Sequence, residues 1–138
     1  MTATSVSRGR TITEADVVAF SALTGDWHPQ HSDAAWAAGS AFGERIAHGM
    51  LIVSFAVGLV DFDPQRVVAL RRVREVVFKR PVRLGETIHV EAREDERRDV
   101  DETMSLVTWS WRIVNQDGAL VCRALIEALC RDEAEVVA

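Results

Sequence analysis

The chain has 138 residues, about the size of one domain, and 48% of them are hydrophobic and 27% charged, so we expect a single packed domain over residues 1–138. Sixteen Lys and Arg against 21 Asp and Glu give a net charge of −5, which argues against nucleic-acid binding. Cys122 and Cys130 are too few for a disulfide framework, and Met1–Thr13 lacks the apolar core of a signal peptide, so we expect a cytoplasmic protein with reduced thiols.

The first half of the chain predicts helices. Thr13 is a favourable N-cap, and Asp16 three positions later completes a capping box, so a helix is expected to begin there and end before Gly25. The segment Gly25–His31 is predicted to be a loop, because a glycine and a proline interrupt it. A short helix is predicted over the alanine-rich segment Ser32–Ala38.

The segment Ile46–Val60 is apolar on nearly every side of a helix. A bilayer span needs about 20 apolar residues, and this shorter run is interrupted by His48, Gly49 and Ser54, so we expect no membrane association. A short helix that is hydrophobic all round belongs in the interior of a fold. The sequence therefore predicts one fully buried helix.

The second half of the chain predicts strands that are rich in Val, Ile, Thr and Trp. Asn115–Gly118 ends in Asp-Gly, which favours a type I′ hairpin turn, and the pattern allows a leading strand near Val6–Ile12. Antiparallel strands with one helix against them make an α+β layered fold. The four main candidates are Val67–Phe78, Thr87–Arg97, Thr103–Val114 and Ala119–Arg131.

The loop Gly25–Asp33 holds the densest set of functional side chains. Asp26 and His31 can converge on one water across it, and a carboxylate with an imidazole suits general acid–base chemistry near neutral pH. In a purely structural interpretation, Asp26 caps a turn and His31 starts the next helix. A second functional interpretation is a metal site, although no H-x-x-x-H helix motif is present; its ligands would be Asp26, His28, His31, Asp33 and His48.

Gly49 stands near the expected start of the buried helix. The first amides of a helix have no intrahelical acceptor and lie at the positive end of the helix dipole, so an oxyanion can bind there. The absence of a side chain at Gly49 leaves its N–H approachable. The alternative is that this glycine only permits close packing of the helix on the sheet.

A basic stretch stands out in an otherwise acidic chain, with only Glu75 opposing it; its members are Arg71, Arg72, Arg74, Lys79, Arg80 and Arg83. Such a stretch can contact phosphate groups. The alternative is that these side chains form the solvated face of a strand.

Taken together, these motifs resemble the MaoC-like (R)-specific enoyl-CoA hydratases. The resemblance covers about residues 12–128. It is carried by Phe20-x-x-x-Thr24-Gly25-Asp26-x-x-Pro29-x-His31-x-Asp33, by Phe42-Gly43-x-x-Ile46-Ala47-His48-Gly49-Met50-Leu51, by Phe78-Lys79-Arg80-Pro81-Val82-Arg83-Leu84-Gly85-Glu86-Thr87 and by Asn115-Gln116-x-Gly118.

The resemblance implies a hot-dog fold, an antiparallel sheet wrapped around one long helix, in a homodimer. It also implies reversible syn addition of water to a trans-2-enoyl thioester, with Asp26 and His31 as the catalytic pair and the Gly49 amide stabilising the oxyanion. No metal or redox cofactor is implied. The acyl group would be carried by CoA or by the phosphopantetheine of an acyl carrier protein, with Lys79, Arg80, Arg83, His28, His48 and Ser54 as candidate substrate contacts.

One departure from the family is His28, which stands where Asn is usual between Asp26 and Pro29. Two alternatives therefore stay open. One is a hot-dog acyl-CoA thioesterase that uses a carboxylate and water at the thioester carbonyl. The other is a non-catalytic acyl-binding subunit of a hot-dog heterodimer.

Overall fold

The computed structural model describes residues 3–133, which form an antiparallel sheet with helices on it. In chain order the elements are β1 (Ser5–Val6), β2 (Arg10–Thr11), α1 (Glu14–Thr24), α2 (Pro29–Ser32), α3 (Ala34–Ala38), α4 (Gly49–Leu59), β3 (Val67–Phe78), β4 (Thr87–Asp99), β5 (Met104–Val114) and β6 (Leu120–Arg131). The predicted α+β class is confirmed.

The strands are ordered β1-β4-β5-β6-β3, and β2 also pairs with β4. All of these pairs are antiparallel, and the main strands lie within two residues of the predicted boundaries. β3 therefore forms one edge of the described sheet. No helix within residues 3–133 is long and apolar enough to cross a bilayer.

The β5–β6 hairpin is present, but the predicted type I′ turn is wrong. Type I′ needs positive φ at both central residues, and in the segment Asn115–Gly118 only Gly118 has it, at +76°. The Asn115 carbonyl accepts the Gly118 N–H at 3.0 Å, and the Asn115 side chain accepts the N–H groups of Asp117 and Ala119. The connection is thus a three-residue loop closed by a left-handed glycine.

α1 begins as predicted, because Thr13 and Asp16 form a complete capping box. It ends at Gly25, whose left-handed φ of +81° lets its N–H reach the Ser21 carbonyl at 2.8 Å. Phe20 and Ser21, in the last turns of α1, face the central helix and contact His48. The caps therefore fix the end of the helix from which the candidate catalytic loop leaves.

The core lies between α4 and one face of the sheet. The buried side of α4 supplies Leu51, Ile52, Val53 and Ala56, and the sheet supplies mainly residues of β4, β5 and β6. Trp111 at the centre of β5 is the largest fully buried side chain. Burial at this face provides the main free energy that holds the helix on the sheet.

Two expectations about the central helix are wrong. It begins at Gly49 rather than Ile46, because Ile46 forms a β-bridge to Arg83 and the neighbouring Ala47 N–H donates to a backbone carbonyl. It is also not buried on every side, since Met50 is 58% exposed and Val57 40% exposed in the single chain. Sequence hydrophobicity alone did not distinguish the side facing the sheet from this second apolar side.

The basic stretch does not form one patch. A register shift in β3 lets both Arg71 and Arg72 pair with the buried Glu127 of β6, at 3.1 Å each. Burial by itself raises the pKa of Glu127, but the hydrogen bonds from Arg72 and Arg71 outweigh it and lower that pKa. Arg71 and Arg72 thus have an acidic partner from another strand in addition to Glu75 within the stretch.

Candidate active site

The loop that carries the predicted pair is partly helical. The expectation of a loop over Gly25–His31 is wrong at its end, because Pro29 starts the one-turn helix α2 and places His31 inside it. α3 starts two residues later than predicted, because Asp33 rather than an earlier residue caps it, accepting the Trp36 N–H at 3.0 Å. These two turns fix the backbone on both sides of His31.

His31 is buried, with 5% of its surface exposed, and its tautomer follows from its partners. Its Nδ1 lies 2.8 Å from the Ile46 carbonyl oxygen, which can only accept, so Nδ1 carries the hydrogen. The ring's lone pair is then on Nε2. Burial lowers the pKa of His31, outweighing the opposing effect of the Ile46 hydrogen bond, while His48 and His28 lower it further and Asp26 raises it. His31 is therefore neutral near pH 7, as a proton acceptor must be.

Asp26 lies opposite that lone pair. Its Oδ2 is 3.9 Å from His31 Nε2, and its side chain is 52% exposed, so it reaches both the imidazole and solvent. Its other oxygen accepts the His28 N–H at 3.2 Å, which fixes the direction of the carboxylate. The 3.9 Å gap is too long for a direct hydrogen bond and leaves space for a water oxygen within about 3 Å of both groups.

Asp26 and His31 open into a cleft of about 490 Å³. Gly49, the first residue of α4, lines the same cleft, and no side chain caps the N-terminus of that helix. Its N–H is thus placed to donate to a ligand oxygen. A Cβ at position 49 would lie 2.7 Å from the Phe78 ring, so the absence of a side chain also lets Phe78 pack against the start of the helix.

The other predicted substrate contacts separate into two groups. Lys79 and Arg80 are exposed and line the cleft. Arg83 instead pairs with Glu44 at 2.7 Å, and Ser54 is exposed on α4 and donates to the Met50 carbonyl at 2.7 Å. Arg83 and Ser54 lie outside the lining of the cleft, so the structure does not bring them to the catalytic pair.

His28 and His48 have different surroundings. His28 lies outside the cleft lining, where its Nδ1 accepts the Gln30 N–H at 3.1 Å and caps α2. His48 is 2% exposed and lies under the cleft, with its ring stacked on His31 at a centroid distance of 3.8 Å. The structure therefore stacks His48 on His31, whereas His28 contacts the pair through its backbone N–H and the edge of its ring.

Gln30 is a cleft residue that the sequence reasoning missed. Its side-chain Nε2 donates to His31 Nε2 at 3.3 Å, so it shares the lone pair that would accept a proton from water. The only sequence signal was its place directly before His31, within a loop already selected for Asp26. Glutamine is common on surfaces, so its direction toward His31 became visible only in the fold.

A metal ion would have three candidate ligands here, because ligand atoms of Asp26, His31 and His48 all lie within 4.8 Å of one another. The two imidazole rings are stacked with an interplanar angle of 26°, so their in-plane lone pairs run side by side rather than converging. His48 Nε2 and His31 Nδ1 also already bond protein oxygens. This arrangement fits acid–base chemistry better than metal coordination.

Comparison with known proteins agrees with this geometry. The model of the MaoC-like domain family matches residues 2–113, which is most of the chain. This chain belongs to the MaoC-like domain family. The arrangement of sheet and central helix is the hot-dog fold. A conserved hypothetical protein of Mycobacterium tuberculosis with a double hotdog fold has the same arrangement, with a TM-score of 0.76 and 19% identity. The match covers 98% of this chain and 44% of that one.

Two curated relatives of this MaoC-like chain carry descriptive names. The (R)-specific enoyl-CoA hydratase of Aeromonas caviae is 36% identical over 77% of each protein. Protein MaoC of Klebsiella aerogenes is 45% identical over 59% of this chain, but the match covers only 24% of that longer protein. Among solved structures, the monoamine oxidase regulatory protein of Archaeoglobus fulgius has a TM-score of 0.91 at 37% identity, over 97% of this chain and 92% of that one.

His28 provides a stability test of this loop. Replacing His28 with Ala removes the acceptor that caps α2, so we expect the free energy of unfolding to fall by about 0.5–2 kcal/mol. His28→Asn keeps a side-chain acceptor that is favoured at N-caps and should retain most of that stability. Urea denaturation of both variants checks this, and equal losses in the two would contradict the capping role.

Proposed function

We propose that this MaoC-like chain is an (R)-specific enoyl-thioester hydratase, which also catalyses the reverse dehydration of a 3-hydroxyacyl thioester. The observation that carries the proposal is the neutral His31, whose Nε2 lone pair lies 3.9 Å from Asp26 Oδ2, so that one water can hydrogen-bond to both. The name and identity of the Aeromonas caviae relative support the same reaction.

His31 would act as the base in hydration. Its Nε2 takes a proton from water as the water oxygen bonds to the β carbon, while the Asp26 carboxylate holds the water. That proton passes from His31 to Asp26, whose Oδ2 is 3.9 Å away, and Asp26 delivers it to the α carbon, so that both groups return to their starting states. Acid–base assistance of this kind contributes roughly 10²–10⁴-fold to the rate.

The Gly49 amide would stabilise the negative charge that develops on the thioester oxygen. Its N–H lies at the positive end of α4, in the same cleft as the pair. One such donor contributes about 2.7–4 kcal/mol to transition-state stabilisation. In this scheme the protein supplies both proton transfer and charge stabilisation, without a resident metal or redox cofactor.

Substitutions of the pair test the reaction. We expect Asp26→Asn and His31→Ala each to lower kcat for hydration of a short trans-2-enoyl-CoA at least about a hundredfold, because each removes a proton-transfer group. Loss of the enoyl-thioester absorbance measures the rate. Asp61→Asn and His89→Ala are matched controls outside the cleft lining.

Two results would contradict the proposal. Release of free CoA thiol without loss of enoyl absorbance would indicate the thioesterase. No turnover on a panel of enoyl chain lengths, with ligand binding intact in both variants, would indicate the non-catalytic acyl-binding subunit.

We also propose that Lys79 and Arg80 contact the phosphates of CoA or of an acyl carrier protein. Both side chains are exposed, line the cleft and are cationic, which suits a phosphate group at its mouth. Arg83 is not part of this proposal, because Glu44 and the Phe42 carbonyl already occupy its guanidinium.

Charge removal tests this contact. Lys79→Gln and Arg80→Gln should each raise KM for enoyl-CoA several-fold with little change in kcat, because they weaken binding far from the reacting atoms. The exposed Arg8→Gln outside the cleft lining is the control for a general effect of net charge. Unchanged KM in both cleft variants would remove these residues from the binding site.

Finally, we propose that the active form is a homodimer. The single chain leaves apolar side chains exposed on α4 and on the edge strand β3, namely Met50, Val57, Val68, Leu70 and Val73. A second copy that covers these faces would remove them from water and protect the strand edge.

Sedimentation velocity tests this association. The wild-type protein should sediment as a dimer at micromolar concentration, and Leu70→Arg should shift it toward the monomer, because a charge would be placed in the apolar contact. Leu23→Arg, at an exposed leucine of α1, is the matched control. A fully active wild-type monomer would contradict the proposal.

A further inference from the structure

We propose that His48 is a positioning residue, which anchors Asp26 through its backbone and covers one face of His31, so that His31 stays a proton acceptor. This inference rests on the proposed function of Asp26 and His31. It gives His48 a role different from the substrate contact expected from the sequence.

The anchor of Asp26 is a hydrogen bond from the His48 ring. His48 Nε2 lies 3.1 Å from the Asp26 carbonyl oxygen and 3.0 Å from Ser21 Oγ. A carbonyl can only accept, so Nε2 carries the hydrogen and donates it. The bond joins the end of α1, the catalytic loop and the start of α4, and it fixes the backbone from which the Asp26 carboxylate extends.

The other ring nitrogen of His48 makes no hydrogen bond. With the hydrogen on Nε2, Nδ1 holds a lone pair, and within residues 3–133 this buried atom has no hydrogen-bond partner. The ring is therefore held in place through Nε2 and through its contacts with neighbouring rings.

The contact with His31 is a ring stack. The two centroids are 3.8 Å apart with an interplanar angle of 26°, and both side chains are almost fully buried. His48 thus excludes water from one face of His31, and water is what would stabilise an imidazolium ion. A charge on either ring would also disfavour a charge on the other.

The titratable groups that face His31 are Asp26, His28 and His48. Burial is the largest effect on the pKa of His31 and lowers it; His48 and His28 act in the same direction, and Asp26 acts against them. Since the net shift is downward, His31 remains neutral at pH values where an exposed histidine begins to gain a proton. Removing the stacked ring should therefore move the protonation of His31 to higher pH.

Two substitutions separate the anchor from the stack. His48→Gln can keep an N–H donor toward the Asp26 carbonyl but loses the ring. His48→Phe keeps a ring against His31 but loses the donor. His89→Gln, at a histidine of β4 outside the cleft lining, is the control.

The decisive measurement is an NMR titration of the His31 and His48 ring protons in the full chain without substrate. We expect the His31 midpoint to lie below the ordinary histidine value of 6.5 in the wild type, to rise in His48→Gln and to stay low in His48→Phe. The pH at which kcat/KM falls on the acid side should likewise rise in His48→Gln and stay low in His48→Phe. In His48→Phe, kcat should fall about a hundredfold, because Asp26 loses its anchor.

Three results would overturn the inference. One is a His31 midpoint in folded His48→Gln that equals the wild-type midpoint. Another is equal loss of thermal stability and activity in both variants with no change in the pH profile, as expected of a merely structural residue. The third is a wild-type His31 midpoint at or above the ordinary histidine value of 6.5, which tests the inference even if a variant does not fold.

The titration needs no turnover, so it separates this inference from the proposed function. A wild-type protein without hydratase activity would contradict the proposed function. The His31 midpoints of the wild type and of His48→Gln would still show whether His48 keeps His31 neutral. Conversely, an active enzyme whose His31 midpoint is the same in His48→Gln as in the wild type would support the proposed function and contradict the inference.

Discussion

The hydrogen bond from His31 Nδ1 to the Ile46 carbonyl is the constraint on which the site depends. Ile46 also donates its N–H to the Gln30 carbonyl at 3.0 Å and forms a bridge to Arg83. One residue therefore ties α2 to the connection between β3 and β4 and to the segment that enters α4. Because this partner can only accept, it determines which nitrogen of His31 is free, and hence where a proton can be taken.

The remaining parts of the site follow from that position. α4 begins three residues after Ile46, so the same short segment that fixes the imidazole also delivers the Gly49 amide to the cleft. The capped end of α1 brings Asp26 to the other side of His31 Nε2. The proposed base, carboxylate and oxyanion donor thus come from three elements that meet at the end of the central helix, which is the arrangement that the proposed addition of water to a conjugated thioester would use.

Local sequence signals predicted much of this. The Thr13–Asp16 capping box, the strand periodicity and the loop with Asp26 and His31 depend on neighbours within a few residues, and the motifs identified the family. The type of the Asn115–Gly118 turn and the exposed side of α4 were predicted wrongly. The first depends on the geometry of the hairpin, and the second on which of two apolar sides meets the sheet.

Pairings over long distances in the chain could not be read from the sequence. Glu127 neutralises Arg71 and Arg72 from a strand more than 50 residues away, and His48 reaches back 27 residues to Ser21. Arg83 likewise has an ordinary surface side chain, and its partner Glu44 comes from a distant part of the chain. Gln30 contacts its own neighbour His31, but the direction of its side chain depends on how the loop folds. Side-chain direction in these cases is a property of the tertiary structure.

The most direct test of the central claim is the stereochemistry of the product. Incubation of a short trans-2-enoyl-CoA in D₂O, followed by chiral chromatography and NMR, should give the (R)-3-hydroxyacyl thioester, with the C2 deuterium added to the same face as the hydroxyl group. That result would show water and proton delivered from one side, as the adjacent Asp26 and His31 require. An (S) product, anti addition, or hydrolysis to free CoA without hydration would contradict the account.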